Sequence, residues 1–136
     1  MAEKNFKIEI VTPERIVLSK DIVSLVVPGV EGSLGILADH APLMAELGIG
    51  EIQLRDSDGK IEHMATSGGF MEVSKNSVRI LADTLEKAEE IDIARAEEAK
   101  RRAEERLRAR ISGIDTLRAE TSLKRAITRI RVAQGQ

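Results

Sequence analysis

The chain of 136 residues is predicted to be an α+β protein, with an N-terminal antiparallel β-sandwich followed by a C-terminal two-helix hairpin. Three observations predict this fold: alternating apolar and polar residues before residue 84, helically spaced apolar residues after it, and a change of composition there. Residues 1–84 hold eight of ten Gly, all three Pro and eight of nine Val, with 8 basic and 13 acidic residues, a net charge of −5. Residues 85–136 hold nine Ala and no Pro, with 13 basic and 10 acidic residues, a net charge of +3. The composition predicts two domains, 1–84 and 85–136.

Short alternating segments, bounded by turn-forming residues, predict the strands of the first domain. Asp58-Gly59 lies between two such segments and predicts a β-hairpin. Because no helical pattern intervenes, we expect antiparallel pairing in a sandwich or flattened barrel. The glycine-rich segment 29–35 is predicted to form tight turns at a sheet edge. The predicted strands are Phe6–Ile10, Ile22–Val27, Ile52–Leu54, Ile61–Met64, Phe70–Val73 and Val78–Leu81.

Apolar residues at roughly helical spacing predict two helices that turn at Gly113, with Ser112 or Asp115 able to cap the second. Four of these ten apolar residues are alanine, whose burial yields far less than the ~1.5–3 kcal/mol of a large aliphatic side chain. We therefore expect a weakly docked hairpin, and an element of low stability suits a conformational switch. The apolar residues are Ala88, Ile91, Ala99, Ala103, Leu107 and Ile111, then Ala119, Leu123, Ile127 and Ile130.

The composition argues against several classes of function. The absence of Cys excludes disulfides, thiolate metal sites and thiol catalysis, and no phosphate-binding loop of the form GxxxxGK[ST] is present. His40 and His63 lie in no recognisable catalytic context, so we expect neither an enzyme nor a metal site nor a catalytic cofactor. A net charge of −2 and only two aromatic residues argue against nucleic-acid binding. No long apolar segment or signal peptide is found, so we expect a protein that neither spans a membrane nor is secreted by that route.

Six segments, in the same order along the chain, resemble the epsilon subunit of the bacterial F-type ATP synthase. The resemblance implies a central-stalk subunit that couples the catalytic sector, through gamma, to the c ring during ATP synthesis from an ion gradient. It also implies a peripheral location on the cytoplasmic face of the bacterial cell membrane, with membrane contact only through the complex. Ala38-Asp39 departs from the Pro-Gly that the family often has there. The segments are Val11–Glu14, Gly29–Leu37, His40–Leu43, Ser67–Val73, Arg79–Asp83 and Ile91–Leu107.

The same resemblance implies that the helical domain is a mobile regulatory element. Extended along gamma it restrains ATP hydrolysis, and folded back it packs on the sandwich. Residues 91–96 match the motif I/L-D-x-x-R-A, through which some members bind ATP as a regulatory ligand without hydrolysing it. The implied ATP-binding residues are Glu86, Ile91, Asp92 and Ala96 at the adenine end and Arg95, Arg125 and Arg129 at the phosphates.

A plainer interpretation of these residues stays open. Asp92 and Arg95 are three apart and Arg125 and Arg129 four apart, so each pair shares a helix face with or without a ligand. The first pair is equally consistent with an ordinary surface ion pair, and the second with a solvated face.

The remaining expected contacts also follow from the resemblance. Glu31 and His40 are implied to face the c ring, although each is also explained as a turn residue satisfied locally. A basic set on the second helix is implied to meet an acidic segment of the catalytic beta subunit. A free-standing ATP-sensing protein is the alternative function. The basic set is Arg118, Lys124, Arg125 and Arg129.

Overall fold

The computed structural model describes residues 3–109 and 116–135. Ten strands form one sheet that builds the predicted β-sandwich, in the order β10-β7-β6-β3-β5-β8-β9-β1-β2 with β4 paired to β3. The strands are β1 (Phe6–Val11), β2 (Ile16–Ile22), β3 (Ser24–Gly29), β4 (Gly32–Leu37), β5 (Leu43–Leu47), β6 (Gly50–Arg55), β7 (Ile61–Thr66), β8 (Gly69–Ser74), β9 (Ser77–Ala82) and β10 (Leu85–Lys87).

All six predicted strand segments lie in the sheet, and the Asp58-Gly59 hairpin between β6 and β7 is confirmed. The segment Ile22–Val27 is divided at Val23, since Ile22 ends β2 and Ser24 begins β3. The glycine-rich segment forms a turn only at Val30 and Glu31, and from Gly32 it continues as β4. Glycine weakens a strand pattern, which explains why this strand was not predicted.

Two further features of the sheet differ from the expectation. β1 pairs in parallel with β9 and antiparallel with β2, so one pair of the sandwich is parallel. The sheet also continues through β10, which pairs with β7 beyond the composition boundary at residue 84. Glu86 therefore lies on a strand of the sandwich.

The core of the sandwich consists of large aliphatic and thioether side chains from nearly every strand. Each of these contributes roughly 1.5–3 kcal/mol on burial, so the sandwich is the stable body of the protein. Residues at most 1% exposed include Ile8, Ile10, Ile22, Leu25, Ile36, Ile52, Leu54, Met64, Met71 and Ile80.

The C-terminal part contains a short 3-10 turn (Ala88–Glu90) and two helices, α1 (Ile93–Ala109) and α2 (Thr116–Ala133), which pack on each other. The two predicted helices are confirmed, whereas Ile111, the predicted turn at Gly113 and the caps at Ser112 and Asp115 lie outside the described residues. None of the described helices is both long and apolar enough to cross a bilayer. The alanines Ala96, Ala103, Ala119 and Ala126 are at most 3% exposed.

The helical part docks on the sheet through a small apolar cluster. Ala65 of β7, Ile91 and Val132 of α2 are buried together, with Ala88 and Ala133 against them. α2 packs on β6, β7 and the 3-10 turn. Because Ile91 and Val132 are the only buried side chains of this cluster larger than alanine, the docking is weak compared with the sandwich core, as the alanine-rich sequence predicts.

Candidate functional site

A small cleft separates the sheet from α2, and three of the predicted ATP-binding residues line it. β10 pairs with β7 and carries Glu86 to the edge of the cleft, while the four-residue spacing of Arg125 and Arg129 brings both onto the same side of α2. The cleft has a volume of about 50 Å³. Its lining residues are Ala65, Thr66, Ser67, Thr84, Glu86, Arg125, Thr128 and Arg129.

The Arg129 guanidinium is occupied by the carboxylate of Glu86. Nε donates to Oε1 at 2.7 Å and Nη2 donates to Oε2 at 2.9 Å, the parallel arrangement that makes arginine pairs with carboxylates strong. The side chains are 27% and 35% exposed, so water screens them less than a pair on the open surface. In this conformation one of the predicted phosphate ligands is already bound to an anion of the protein itself.

The other two predicted phosphate ligands differ from Arg129. The Arg125 and Arg95 side chains form no ion pair within residues 3–109 and 116–135, and both residues are exposed. Arg125 lines the cleft one helical turn before Arg129. These two guanidinium groups can therefore accept an external anion without first losing an internal one.

Asp92 acts as the cap of α1. Its Oδ1 accepts a hydrogen bond from the backbone N–H of Arg95 at 3.1 Å, and its carbonyl accepts from the N–H of Ala96 at 3.0 Å. This is the standard role of Asp before the first helical turn. The contact joins Asp92 to the Arg95 backbone and leaves the Arg95 guanidinium exposed, so the surface ion pair that their spacing allowed does not form among the described residues.

Ile91 and Ala96, predicted to border the adenine, are covered by protein in this conformation. Ala96 is 0% exposed and Ile91 is 8% exposed, the latter because it belongs to the cluster with Val132. The structure thus brings Glu86, Arg125 and Arg129 together at the cleft. It places Asp92 and Arg95 on the surface at the start of α1.

Hydroxyl groups of the cleft were missed by the sequence analysis. Thr66 Oγ1 donates to the Thr84 carbonyl at 2.9 Å, and Thr84 Oγ1 donates to Ser67 Oγ at 2.7 Å. Thr128 completes the lining from α2. Thr66 and Ser67 are 17 or more residues from Thr84 and belong to no spacing pattern with it, so only the pairing of β10 with β7 brings these three together, and Thr128 arrives with α2.

The turn between β10 and α1 is tied to the sandwich by Glu90. Its Oε1 accepts from the Lys87 backbone N–H at 2.9 Å, and its Oε2 lies 3.4 Å from Nη2 of Arg15. The hydrogen bond from Lys87, and secondly the charge of Arg15, hold the pKa of Glu90 below its usual value of 4.5. The carboxylate form of Glu90 therefore favours this geometry.

Glu31 and His40, predicted to face the c ring, lie at opposite ends of β4. Glu31 is exposed in the turn before the strand, and His40 follows the strand, with its Nδ1 donating to the Ala41 carbonyl at 2.7 Å. A six-residue strand spans about 20 Å. A partner that contacts both residues must therefore extend along β4.

The two histidines are held locally. His63 of β7 pairs through Nδ1 with the Glu51 carboxylate of the neighbouring strand β6. Among the described residues, no three side chains of the types that ligate metals come together.

Two models of one protein family together match nearly the whole chain. The ATP synthase delta/epsilon chain β-sandwich domain matches residues 5–88, and the delta/epsilon chain long α-helix domain matches residues 89–134. The chain belongs to the ATP synthase delta/epsilon family. The family boundary at residues 88 and 89 falls in the 3-10 turn, so it assigns β10 and Glu86 to the sandwich domain.

Curated relatives of this delta/epsilon chain are similar over their whole length. The ATP synthase epsilon chain of Syntrophomonas wolfei is 51% identical over 134 residues, covering 98% of each chain. That of Natranaerobius thermophilus is 50% identical over 137 residues, covering 100% of this chain and 97% of the relative. The similarity therefore includes both domains.

Solved structures support the fold. A chain of the Euglena gracilis mitochondrial ATP synthase, from a structure of its OSCP/F1/c-ring, superposes with a TM-score of 0.84 at 20% identity, covering 98% of this chain and 84% of that one. A chain of the Tetrahymena thermophila central stalk and c-ring gives 0.60 at 18% identity, covering 98% and 97%. At these identities the comparison establishes the shared fold.

The predicted beta-subunit contacts of this delta/epsilon chain lie along α2. Arg118 and Lys124 are exposed, as is Arg125, whereas Arg129 is half-buried at the cleft. Lys124 also borders a second groove, between α2 and Ile49 of the turn before β6. The basic residues thus do not form one continuous exposed face while α2 is docked, because Arg129 points to the sheet.

Proposed function

We propose that the chain is the epsilon subunit of an F-type ATP synthase, a rotor component that joins gamma to the ring of c subunits and has no catalytic site of its own. The observation that carries this proposal is the match of both family domains over residues 5–134, in the order of the observed fold. Relatives about half identical over nearly the whole chain are named ATP synthase epsilon chain. The membrane is reached only through the c ring.

The outer face of the sandwich offers a surface for gamma. The register places Phe70, Leu81, Val11 and Ile16 in one row across β8, β9, β1 and β2. Phe70 is 56% exposed, Leu81 51% and Ile16 66%. Contiguous exposed apolar side chains on a small domain mark an interaction site. We assign this row to the contact with gamma, and Glu31 and His40 to the contact with the c ring.

ATP is proposed to bind the folded hairpin as a regulatory ligand. Guanidinium groups are well suited to clamp phosphate oxygens, and Arg95, Arg125 and Arg129 are the groups proposed for this role. Small-molecule pockets usually measure about 300–1,000 Å³, far more than the cleft. Binding therefore requires α2 to move from the sheet or the nucleotide to lie across the mouth of the cleft.

The helices are proposed to inhibit ATP hydrolysis when extended. The basic residues Arg118, Lys124, Arg125 and Arg129 would then meet an acidic segment of beta. Arg125 and Arg129 cannot hold ATP in the folded state and contact beta in the extended state at the same time. The nucleotide level is thereby coupled to the release of inhibition.

Assembly of the complex tests the main proposal. The tagged chain, expressed with alpha, beta, gamma and the c ring, should co-purify with gamma, and Phe70→Glu with Leu81→Glu should abolish this. Glu9→Gln on the same face but outside the row is the matched control. A chain that binds ATP yet never co-purifies with gamma would support the free-standing sensor instead.

Titration with ATP tests the regulatory site. Arg95→Ala and Arg129→Ala should each weaken binding, whereas Arg106→Ala, which removes a positive charge from the exposed end of α1, should not. Equal binding by the wild-type protein and both site variants would contradict the proposed clamp.

A further inference from the structure

Glu86 occupies the position on Arg129 that the proposed ligand would need. Its carboxylate binds the guanidinium through both oxygens, at 2.7 and 2.9 Å. The pair joins two elements that are 43 residues apart, β10 of the sandwich and α2 of the hairpin. A nucleotide phosphate, although tetrahedral, likewise presents a pair of anionic oxygens that an arginine can bind through two hydrogen bonds.

We propose that Glu86 is an internal anion that fastens α2 to the sandwich in the ligand-free protein and is displaced from Arg129 when nucleotide phosphates bind. The inference rests on the proposed binding of ATP to the folded hairpin. It adds a statement of how that site is regulated. Without ligand, the carboxylate of Glu86 binds Arg129 and holds the hairpin, and with ligand the phosphates bind Arg129 instead.

The first argument is the weakness of the other contacts between α2 and the sheet. The apolar cluster beneath α2 has only Ile91 and Val132 as buried side chains larger than alanine. A partly buried, bidentate ion pair is therefore a substantial addition to this small apolar contact. Loss of the Glu86 charge should therefore loosen α2 measurably.

The second argument is the rigidity of Glu86 compared with the mobility that the function asks of α2. β10 is paired with β7, and the preceding residue, Leu85, is packed in the sandwich core. The carboxylate is thus fixed to the stable domain, and the arginine travels with the helix. The ion pair therefore forms only while α2 is docked on the sandwich.

The third argument is the unequal state of the arginines. Arg125 lies one turn from Arg129 on the same cleft and has no carboxylate partner among the described residues. A triphosphate can engage both guanidinium groups, whereas Glu86 engages one. The ligand thus gains contact with a cation that Glu86 does not neutralise, and this gain opposes the cost of leaving the Glu86 carboxylate without its partner.

Hydrogen exchange of the full chain, with and without saturating ATP, tests the proposal. Glu86→Gln removes the charge and keeps the size of the side chain. Glu89→Gln is the matched control, because it removes one charge three residues away, at an exposed position of the 3-10 turn. Amides of β8 and β9 report whether the sandwich stays folded in each variant.

The expected result has two parts. Without ATP, the α2 amides of Glu86→Gln should exchange about fivefold faster than those of the wild-type protein, the effect of losing a charge-assisted bond on a partly exposed pair. With saturating ATP, the two proteins should be protected equally, because phosphates then hold Arg129. Glu89→Gln should match the wild type in both conditions.

Two results would overturn the inference, and a third concerns the proposed function. Equal exchange in the ligand-free proteins would show that the pair does not fasten α2. Poor protection of Glu86→Gln at saturating ATP would show that Glu86 contacts the ligand directly, as the adenine assignment implies, and is not displaced. No effect of ATP on the wild-type protein would refute ATP binding itself, and the displacement with it.

Discussion

The sandwich and the helical hairpin are held together by different means. Ile8, Ile80 and Met71 in the sandwich are 0% exposed large side chains, while the buried positions of the hairpin are mostly alanines such as Ala96 and Ala103. Each large side chain contributes roughly 1.5–3 kcal/mol, and an alanine methyl much less. One chain therefore combines a rigid body with an element whose attachment costs little to break.

The surface of the hairpin carries ion pairs that lie within a single helix. Along α1, Arg101 forms ion pairs with Glu98 and Glu105. The hydrogen bond and charge of Arg101 lower the pKa of Glu98, and the two carboxylates raise the pKa of Arg101 above its usual value. Such i,i+3 and i,i+4 pairs stabilise a helix without help from other elements. α1 is therefore suited to persist when α2 leaves the sheet.

Removal of core volume from the sandwich should give the largest effect. Ile80→Ala should lower the free energy of unfolding by about 3–4 kcal/mol, because it leaves a cavity at a fully buried site. Leu117→Ala, at a position of α2 that is 71% exposed, should change it by less than about 0.5 kcal/mol. Denaturant titration measures both. Similar losses in the two variants would contradict the division into a rigid body and a loosely attached one.

The sequence predicted the fold class because both periodicities are strong where the core is regular. It did not predict β4, β5, β10 or the greater part of β2; two of the six residues of β4 are glycines, and β10 has three residues and lies just beyond the change of composition. The parallel pairing of β1 with β9 was also missed, because it joins strands about seventy residues apart. Pairing between distant strands depends on packing, and alternation does not encode it.

The candidate site was predictable only in part. The four-residue spacing placed Arg125 and Arg129 on one side of α2, and the structure has both on the cleft. The pairing of Glu86 with Arg129 could not be foreseen, because it depends on β10 joining the sheet. The same applies to Asp92, whose role as a helix cap follows from where α1 begins.

Overpacking of the buried alanines of the two helices should give the next largest effect. Ala103 is 2% exposed, so Ala103→Leu should push the helices apart and destabilise the hairpin by about 1–3 kcal/mol. Ala94→Leu, at an exposed position of the same helix, is the control. Hydrogen exchange should show faster opening of α1 and α2 with the sandwich unchanged. Loss of protection in the sandwich as well would mean that the two regions unfold as one unit.

A smaller effect is expected at Asp39, which precedes His40 and has a strained backbone conformation. Asp39 has φ +63°, in the left-handed region, which glycine adopts at no steric cost. Asp39→Gly should raise the stability of the sandwich by about 0.5 kcal/mol, since the lost ion pair with Lys4 is exposed. Asn76→Gly has a similar φ of 58°, but it removes hydrogen bonds to Asp39 and Asn5, so it should give no gain. Thermal unfolding distinguishes the two: no gain in Asp39→Gly would show that backbone strain is not what matters there, and equal gains in both variants would show that the Asn76 hydrogen bonds contribute nothing.

The smallest effect concerns the junction between the two regions and depends on pH. The pKa of Glu90 is lowered in the folded protein, so the carboxylate contributes stability above its unfolded value of about 4.5. That contribution is lost as the pH falls through the lower, folded pKa. The protection of the Lys87 amide and its neighbours, measured relative to the intrinsic exchange rate at each pH, should therefore fall on acidification below about pH 4.5. Glu90→Gln should remove this step, while Glu89→Gln should keep it. A step that survives in Glu90→Gln would assign the acid sensitivity to the sandwich, and the junction would then be no weaker than the body it joins.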